Sequence, residues 1–177
     1  GIFGPTGSGR IHEHNLQSAT TLTMGTLSKA LAGYGGYICG TALLRQHLIQ
    51  TSRSFIYTTA PPPAQLGTAL GALEILENEP DLGTRLLEKA AHFRKALQSH
   101  GLNTLQSASQ IIPIVIGDNH QAMHIAASLK EQDILVGAIR PPTVPEGTAR
   151  LRISLTLAHT DDDIDRATRA IIRAIPS

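Results

Sequence analysis

The chain has 177 residues, with Lys+Arg 15 against Asp+Glu 14, a formal net charge of +1 and 41% hydrophobic residues, which is the composition of a globular protein. With 3% aromatic residues and no Trp, the core has to be built from Leu, Ile, Val and Ala; a stacking platform for single-stranded nucleic acid and the Lys/Arg excess of a phosphate-neutralising protein are both missing. Apolar runs such as Ile134 to Ile139 fall far short of the ~20 residues that span a bilayer, and Cys39 has no second cysteine to pair with, so a cytoplasmic protein in a reducing compartment is expected.

Gly1-Ile2-Phe3-Gly4-Pro5-Thr6-Gly7-Ser8-Gly9-Arg10 is too rich in Gly and Pro to nucleate an element and reads as a loop leaving a strand that is absent, as in a fragment of a longer chain. Ser18 to Met24 is β-branched and apolar, and a strand is expected there. A second strand is expected over Gly35 to Thr41, after the glycine-rich turn at Gly33, so that the pair flanks Lys29. Leu43 to Ser52 is helical in pattern. Phe55-Ile56-Tyr57-Thr58-Thr59 leads into Pro61-Pro62-Pro63, where a helix starts and runs through Leu66, Leu70, Leu73 and Leu76.

From Asp81 to His100 the residues Leu82, Leu86, Ala90, Phe93 and Leu97 recur every three or four positions, which predicts an amphipathic helix stopped by Gly101. The remainder predicts a strand over Ile111 to Ile116, a helix over Asn119 to Glu131, strands over Ile134 to Ile139 and Ala149 to Thr156, and a helix over Asp161 to Ile175. Thr160-Asp161-Asp162-Asp163 supplies a hydroxyl cap and carboxylates for the positive end of that last helix. Such an order describes a small α/β layer domain. The boundary is placed near Asn78 to Asp81, where Pro80 interrupts two helices, giving domains of residues 1–79 and 80–177.

Among the four lysines, Lys89, Lys95 and Lys130 fall on polar faces of predicted helices. Lys29 differs, since it ends the turn Thr26-Leu27-Ser28 and precedes Ala-Leu-Ala-Gly-Tyr-Gly-Gly, a stretch with little side-chain bulk. A lysine held at a strand end, with backbone free to approach a ligand, suits a Schiff-base nucleophile, and partial desolvation would lower its amine pKa. An ordinary solvated loop lysine fits the same spacing. Arg140 opens a proline-stiffened loop, Arg140-Pro141-Pro142-Thr143-Val144-Pro145, and Arg150 and Arg152 share one face of the strand whose other face carries Leu151, Ile153 and Leu155. Guanidinium groups on a stiff loop and strand suit bidentate capture of a carboxylate; surface arginines on a half-exposed strand are the plainer alternative.

The eight histidines include the pairs His12/His14 and His120/His124, but neither pair has a third ligand nearby in sequence, and solvated or hydrogen-bonded histidines with no metal site are expected. The loop Gly4 to Arg10 lacks the Gly-Lys-Ser/Thr ending of a nucleotide phosphate-binding loop. Cys39, inside a predicted strand, is expected to be a small core residue.

Three ordered motifs add to this reading: Thr26-Leu27-Ser28-Lys29-Ala30-Leu31-Ala32-Gly33-Tyr34-Gly35-Gly36-Tyr37, Phe55-Ile56-Tyr57-Thr58-Thr59-Ala60-Pro61-Pro62, and Arg140-Pro141-Pro142-Thr143-Val144-Pro145-Glu146-Gly147-Thr148-Ala149-Arg150-Leu151-Arg152. Together they resemble the α-oxoamine synthases, pyridoxal-phosphate enzymes of fold type I, across almost the whole chain. The resemblance implies an α/β fold comprising the latter part of a cofactor-binding large domain and a C-terminal small domain. It also implies a missing N-terminal half that brings the residue stacked on the cofactor ring and the Asp paired with its pyridine nitrogen, so the activity belongs to the longer parent and the fragment alone is expected to be inactive. The third motif is most similar to the biotin-pathway branch, which condenses L-alanine with pimeloyl-CoA or a pimeloyl carrier protein and releases CO2. The glycine C-acetyltransferase, 5-aminolevulinate synthase and serine palmitoyltransferase branches are the alternatives, and a non-catalytic packing module is the alternative for the isolated fragment.

Carried over residue by residue, the resemblance makes Lys29 the Schiff-base lysine and acid/base, and Thr26 a hydroxyl on the cofactor phosphate. Thr58 and Thr59 become phosphate contacts made from the neighbouring subunit of a homodimer. Arg140, Thr143 and Arg152 become the substrate end, where arginine holds the amino-acid carboxylate. No nucleic acid or membrane partner is implied.

Overall fold

The computed structural model describes residues 1–19 and 22–175, and the chain divides into two compact units, Gly1–Thr84 and Arg85–Ser177. In the first unit a 3-10 turn at Pro5–Gly7 leads to the single-turn helix α1 (Arg10–Glu13). Strands β1 (Leu22–Thr26) and β2 (Gly36–Gly40) pair antiparallel, with Leu22 opposite Gly40 and Thr26 opposite Gly36. The strand expected over Ser18 to Met24 therefore shares Leu22 to Met24 with β1 and runs on to Thr26, while its Thr20 and Thr21 lie outside the described residues. Gly25 sits opposite Tyr37, and a Cβ at this position would run into the Tyr37 ring, so only glycine lets the ring lie across the strand.

Three helices follow. In α2 (Ala42–Thr51) the Leu44 amide donates to the Thr41 hydroxyl at 3.2 Å, a side-chain cap at the helix N-terminus. The one-turn helix α3 (Arg53–Ile56) occupies part of the stretch leading to the prolines. Helix α4 (Pro63–Asn78) opens on Pro63, whose missing N–H is no loss in a first turn.

This unit has almost no interior. Ala69 is its only buried hydrophobic residue among those described, whereas Met24 is 72% exposed, Tyr57 78% and Leu70 68%. Cys39, expected in a core, is exposed as well. Cys39 lies on β2, which is exposed along its whole length.

The second unit is self-sufficient. Helix α5 (Leu82–Ser99) enters it and sends Ala90, Phe93 and Leu97 inward, at the spacing read from the sequence. Strands β3 (Ile111–Gly117), β4 (Gly137–Ile139) and β5 (Ala149–Ser154) form an antiparallel sheet in the order β3-β5-β4. Pro113, which cannot donate to a ladder, lies on the edge strand β3. Helices α6 (Asn119–Lys130) and α7 (Asp161–Ala174) complete the layer. Ile112, Ile114, Leu151, Leu129 and Ile171 join Phe93 at the centre, each such fully buried side chain contributing about 1.5–3 kcal/mol from removal of apolar surface from water.

The strand expected over Ile134 to Ile139 is shortened to Gly137–Ile139. Asp133 takes a left-handed conformation, φ 59, and the Ile134 amide returns to the Leu129 carbonyl at 3.0 Å, so Ile134 and Val136 reach the core from a loop that closes α6. At α7 the expected cap is a complete capping box: the Asp163 amide donates to Thr160 Oγ1 and the Thr160 amide to Asp163 Oδ2. The Thr160 hydroxyl, then its amide, hold the Asp163 carboxyl below its ordinary range.

Candidate active site

The turn between β1 and β2 carries Lys29. Its backbone is fixed at both ends: the Leu27 amide donates to the Gly35 carbonyl at 2.9 Å, the Gly33 amide to the Leu27 carbonyl at 2.7 Å, and the Ala32 amide to the Lys29 carbonyl at 3.0 Å. Gly35, at φ 95, supplies a conformation that a side chain would strain. These bonds make the Thr-Leu-Ser-Lys stretch a braced turn rather than a free loop.

Within it, Thr26 Oγ1 and Ser28 Oγ are 2.8 Å apart, the Ser28 amide donates to Thr26 Oγ1 at 3.2 Å, and the Thr26 hydroxyl reaches the Gly35 carbonyl at 3.3 Å. Two adjacent rotatable hydroxyls, exposed and one residue from a primary amine, form a donor set suited to an oxyanion such as phosphate. Ser28 was not singled out in the sequence; the signal for it is the hydroxyl pair at i and i+2 in a turn. The Lys29 side chain is exposed and makes no hydrogen bond or ion pair with the other described residues, so the partial desolvation expected for it is not supplied by them. An aldehyde-bearing, phosphorylated cofactor fits this set: an accessible amine to bond the aldehyde, and hydroxyls for the phosphate.

Thr58 and Thr59 follow α3 in the same unit and are both exposed, their only mutual contact a 3.5 Å reach from the Thr58 hydroxyl to the Thr59 carbonyl. They are thus open to a group from outside the unit. An apolar cavity of about 570 Å³ in this unit, walled by Met24, Tyr37, Ile38, Leu44, Leu48 and Phe55, contains none of the candidate residues. Arg45, Ser52 and Tyr37 bring the polar groups of its lining.

In the second unit Thr143 and Arg152 are brought to one cavity of about 510 Å³ on the outer face of the sheet. Arg152 is exposed and uncommitted among the described residues, Arg150 is half-buried beside it, and no carboxylate lines the cavity. The alternation read from the sequence holds: Leu151 and Ile153 are buried, and the arginines face outward. Arg140 is exposed at the loop entrance, where its carbonyl accepts from the Thr143 amide at 3.1 Å; it does not line the cavity. The peptide bond between Pro141 and Pro142 is cis. The uncommitted Arg152 guanidinium, without an acidic neighbour and beside Ile111, Pro113 and Ile139, suits an anion. Among the described residues no group of three or more His, Cys, Asp or Glu side chains is placed to hold a metal ion.

Comparison with known proteins gives this arrangement its context. The chain is 43% identical over 175 residues to an 8-amino-7-oxononanoate synthase of Xylella fastidiosa, a match covering 98% of the chain and 44% of that protein. A solved 8-amino-7-oxononanoate synthase from Francisella tularensis superposes with a TM-score of 0.84 at 31% identity, over 97% of this chain and 51% of that one. A serine palmitoyltransferase solved with PLP as its internal aldimine superposes with a TM-score of 0.91 at 26% identity, over 98% and 44%. The chain thus spans about half the length of the relatives it matches. Its mixed α/β fold is the fold type I expected from the motifs. Residues 2–171 match the family of class I and II aminotransferases, and the chain belongs to that family.

Proposed function

We propose that this chain is part of a pyridoxal-phosphate-dependent acyltransferase that condenses L-alanine with pimeloyl-CoA, or the equivalent carrier-protein thioester, to give 8-amino-7-oxononanoate, CO2 and the free thiol in biotin biosynthesis. The observation that carries the reading is the braced turn that carries Lys29 directly after the hydrogen-bonded Thr26 and Ser28 hydroxyl pair; the relatives named 8-amino-7-oxononanoate synthase support the choice of substrates. In the parent enzyme, residues 1–79 form the latter part of the large domain and residues 80–177 the small domain. Among the described residues no helix is long and apolar enough to cross a membrane.

When bound, the cofactor supplies an aldehyde carbon for an amine and a ring that accepts the electron pair left when an α-proton departs. Lys29 Nζ would hold the cofactor at that aldehyde carbon. The same amine would take the substrate α-proton and return one to the product, so one flexible side chain would serve as tether, base and acid. Thr26 Oγ1 and Ser28 Oγ donate to phosphate oxygens by turning away from each other and from the Gly35 carbonyl. Thr58 and Thr59 reach the phosphate of the neighbouring subunit in a homodimer, which their exposure permits. Arg152, with Arg140 and Thr143, holds the amino-acid carboxylate.

The reading is tested on the full-length enzyme by measuring thiol and CO2 release. L-alanine with pimeloyl thioester is expected to turn over; preference for serine or glycine, or for a long-chain or acetyl thioester, assigns the enzyme to another branch. Shared sites predict complementation: mixing Lys29→Ala subunits with subunits carrying both Thr58→Ala and Thr59→Ala restores activity, because a hybrid dimer rebuilds one intact site. Proven heterodimers without recovered activity overturn the cross-subunit assignment.

A further inference from the structure

We infer that Arg150 is a positioning residue that brackets the substrate loop onto the central strand, so that Thr143 and Arg152 meet in one cavity. The inference rests on the proposed substrate role of Arg152. Strand β5 lies between β3 and β4, and Arg150 pairs across it with Val115 on one side and Ile139 on the other. Its backbone is therefore held from both sides, at the point where the loop of residues 140–148 returns to the sheet.

The side chain turns back onto that loop. Arg150 Nε donates to the Thr148 carbonyl at 3.0 Å and Nη2 to Thr148 Oγ1 at 3.1 Å. Thr148 Oγ1 in turn donates to the Pro145 carbonyl at 2.7 Å, and the Thr148 amide reaches the same carbonyl at 3.2 Å. The chain of contacts therefore runs guanidinium, hydroxyl, carbonyl, with the hydroxyl acting as acceptor towards Arg150 and donor towards Pro145. A planar guanidinium fixed at two of its nitrogens has little freedom left, and a network of this kind transmits the geometry of the strand to the loop.

What the bracket places is visible in the cavity lining: Thr143 from the loop, Arg150, and Arg152 two residues further along the same face. Without the bracket the loop is tied to β5 only by its own backbone, and Thr143 can drift from Arg152. Arg150 also differs from its neighbour in burial, being half-buried where Arg152 is exposed, as befits a side chain spent on the protein rather than offered to a ligand.

The experiment measures the L-alanine dissociation constant of the full-length holoenzyme from its change in cofactor absorbance. Thr148→Val removes the hydroxyl relay with little change of shape and is expected to weaken alanine binding about three- to tenfold, the range for loss of a hydrogen bond of ordinary strength. Thr148→Ser keeps the hydroxyl and restores binding. Arg150→Lys keeps the charge but loses the fork, and is expected to match Thr148→Val, with the double variant no worse than the worse single one because both act through one contact. Parental binding in Thr148→Val and Arg150→Lys overturns the inference, as does weakening by the Arg150 variant alone, which would make Arg150 a direct ligand. Arg152→Ala serves as the reference: if it too binds alanine normally, the substrate reading itself fails, whereas if only Arg152→Ala weakens binding, the bracket alone is refuted.

Discussion

Replacing Lys29 by alanine in the full-length enzyme is expected to abolish turnover while leaving the fold intact. The expectation of an intact fold follows from exposure, since the Lys29 side chain touches no partner among the described residues and the turn is braced by backbone bonds at Leu27, Gly33 and Ala32. Thermal unfolding of the cofactor-free enzyme should therefore be unchanged. The expected loss of turnover has two sources. General acid–base catalysis by a positioned side chain contributes about a hundred- to ten-thousandfold, and the covalent tether is lost in addition. Borohydride reduction followed by peptide mapping checks the assignment independently of rate, with label expected on Lys29 in the parent. Label on Lys89, Lys95 or Lys130 would defeat it. Lys89 is a poor competitor for a physical reason: its amine already donates to the His159 carbonyl at 2.6 Å and lies 3.3 Å from Asp161, at the start of α7.

The second unit was the more legible in sequence because its apolar pattern finds partners within itself. The spacing of Ala90, Phe93 and Leu97, the alternation across Leu151 and Ile153, and the cap at Thr160 each describe an interaction completed inside the unit. Where a reading missed, a single residue explains it: the left-handed Asp133 turns Ile134 and Val136 into the core without the strand that their apolar run suggests.

The first unit shows the opposite behaviour. Helix α4 was read correctly from Pro63 and its leucines, yet Leu66, Leu70 and Leu73 stand exposed, as do Cys39 and most of the hairpin. A helix with apolar residues around much of its circumference is built to be covered on several sides. Periodicity reports which residues seek burial and not what covers them. The site follows the same division. Thr26 and Lys29 are near neighbours in sequence and belong to one turn. The pairing of Thr26 with Ser28 and the bracket from Arg150 to Thr148 depend on side-chain directions that spacing does not specify.

Arg152→Ala is expected to raise the L-alanine dissociation constant while the absorbance of the bound cofactor is retained. The guanidinium stands exposed in a cavity lined by no carboxylate, and the strand that carries it is held from both sides by β3 and β4, so its backbone is set before a ligand arrives. A charge-assisted hydrogen bond is worth about 1.5–3 kcal/mol, so its loss corresponds to roughly ten- to hundredfold weaker binding. Arg140→Ala is predicted to act in the same direction and range, with the carboxylate shared between loop and strand. The two positions are also distinguishable: Arg152 belongs to the cavity and Arg140 stands at the loop entrance, so the strand residue should tolerate replacement less. Lysine at position 152 should recover only part of the loss, because an ammonium carries the charge without the planar pair of donors that matches a carboxylate. Titration of the holoenzyme with L-alanine, followed by cofactor absorbance, gives the dissociation constants directly. If both alanine variants bind as tightly as the parent, the arginines are surface residues and the carboxylate is held elsewhere; if the cofactor band itself disappears, the residues serve the cofactor and not the amino acid.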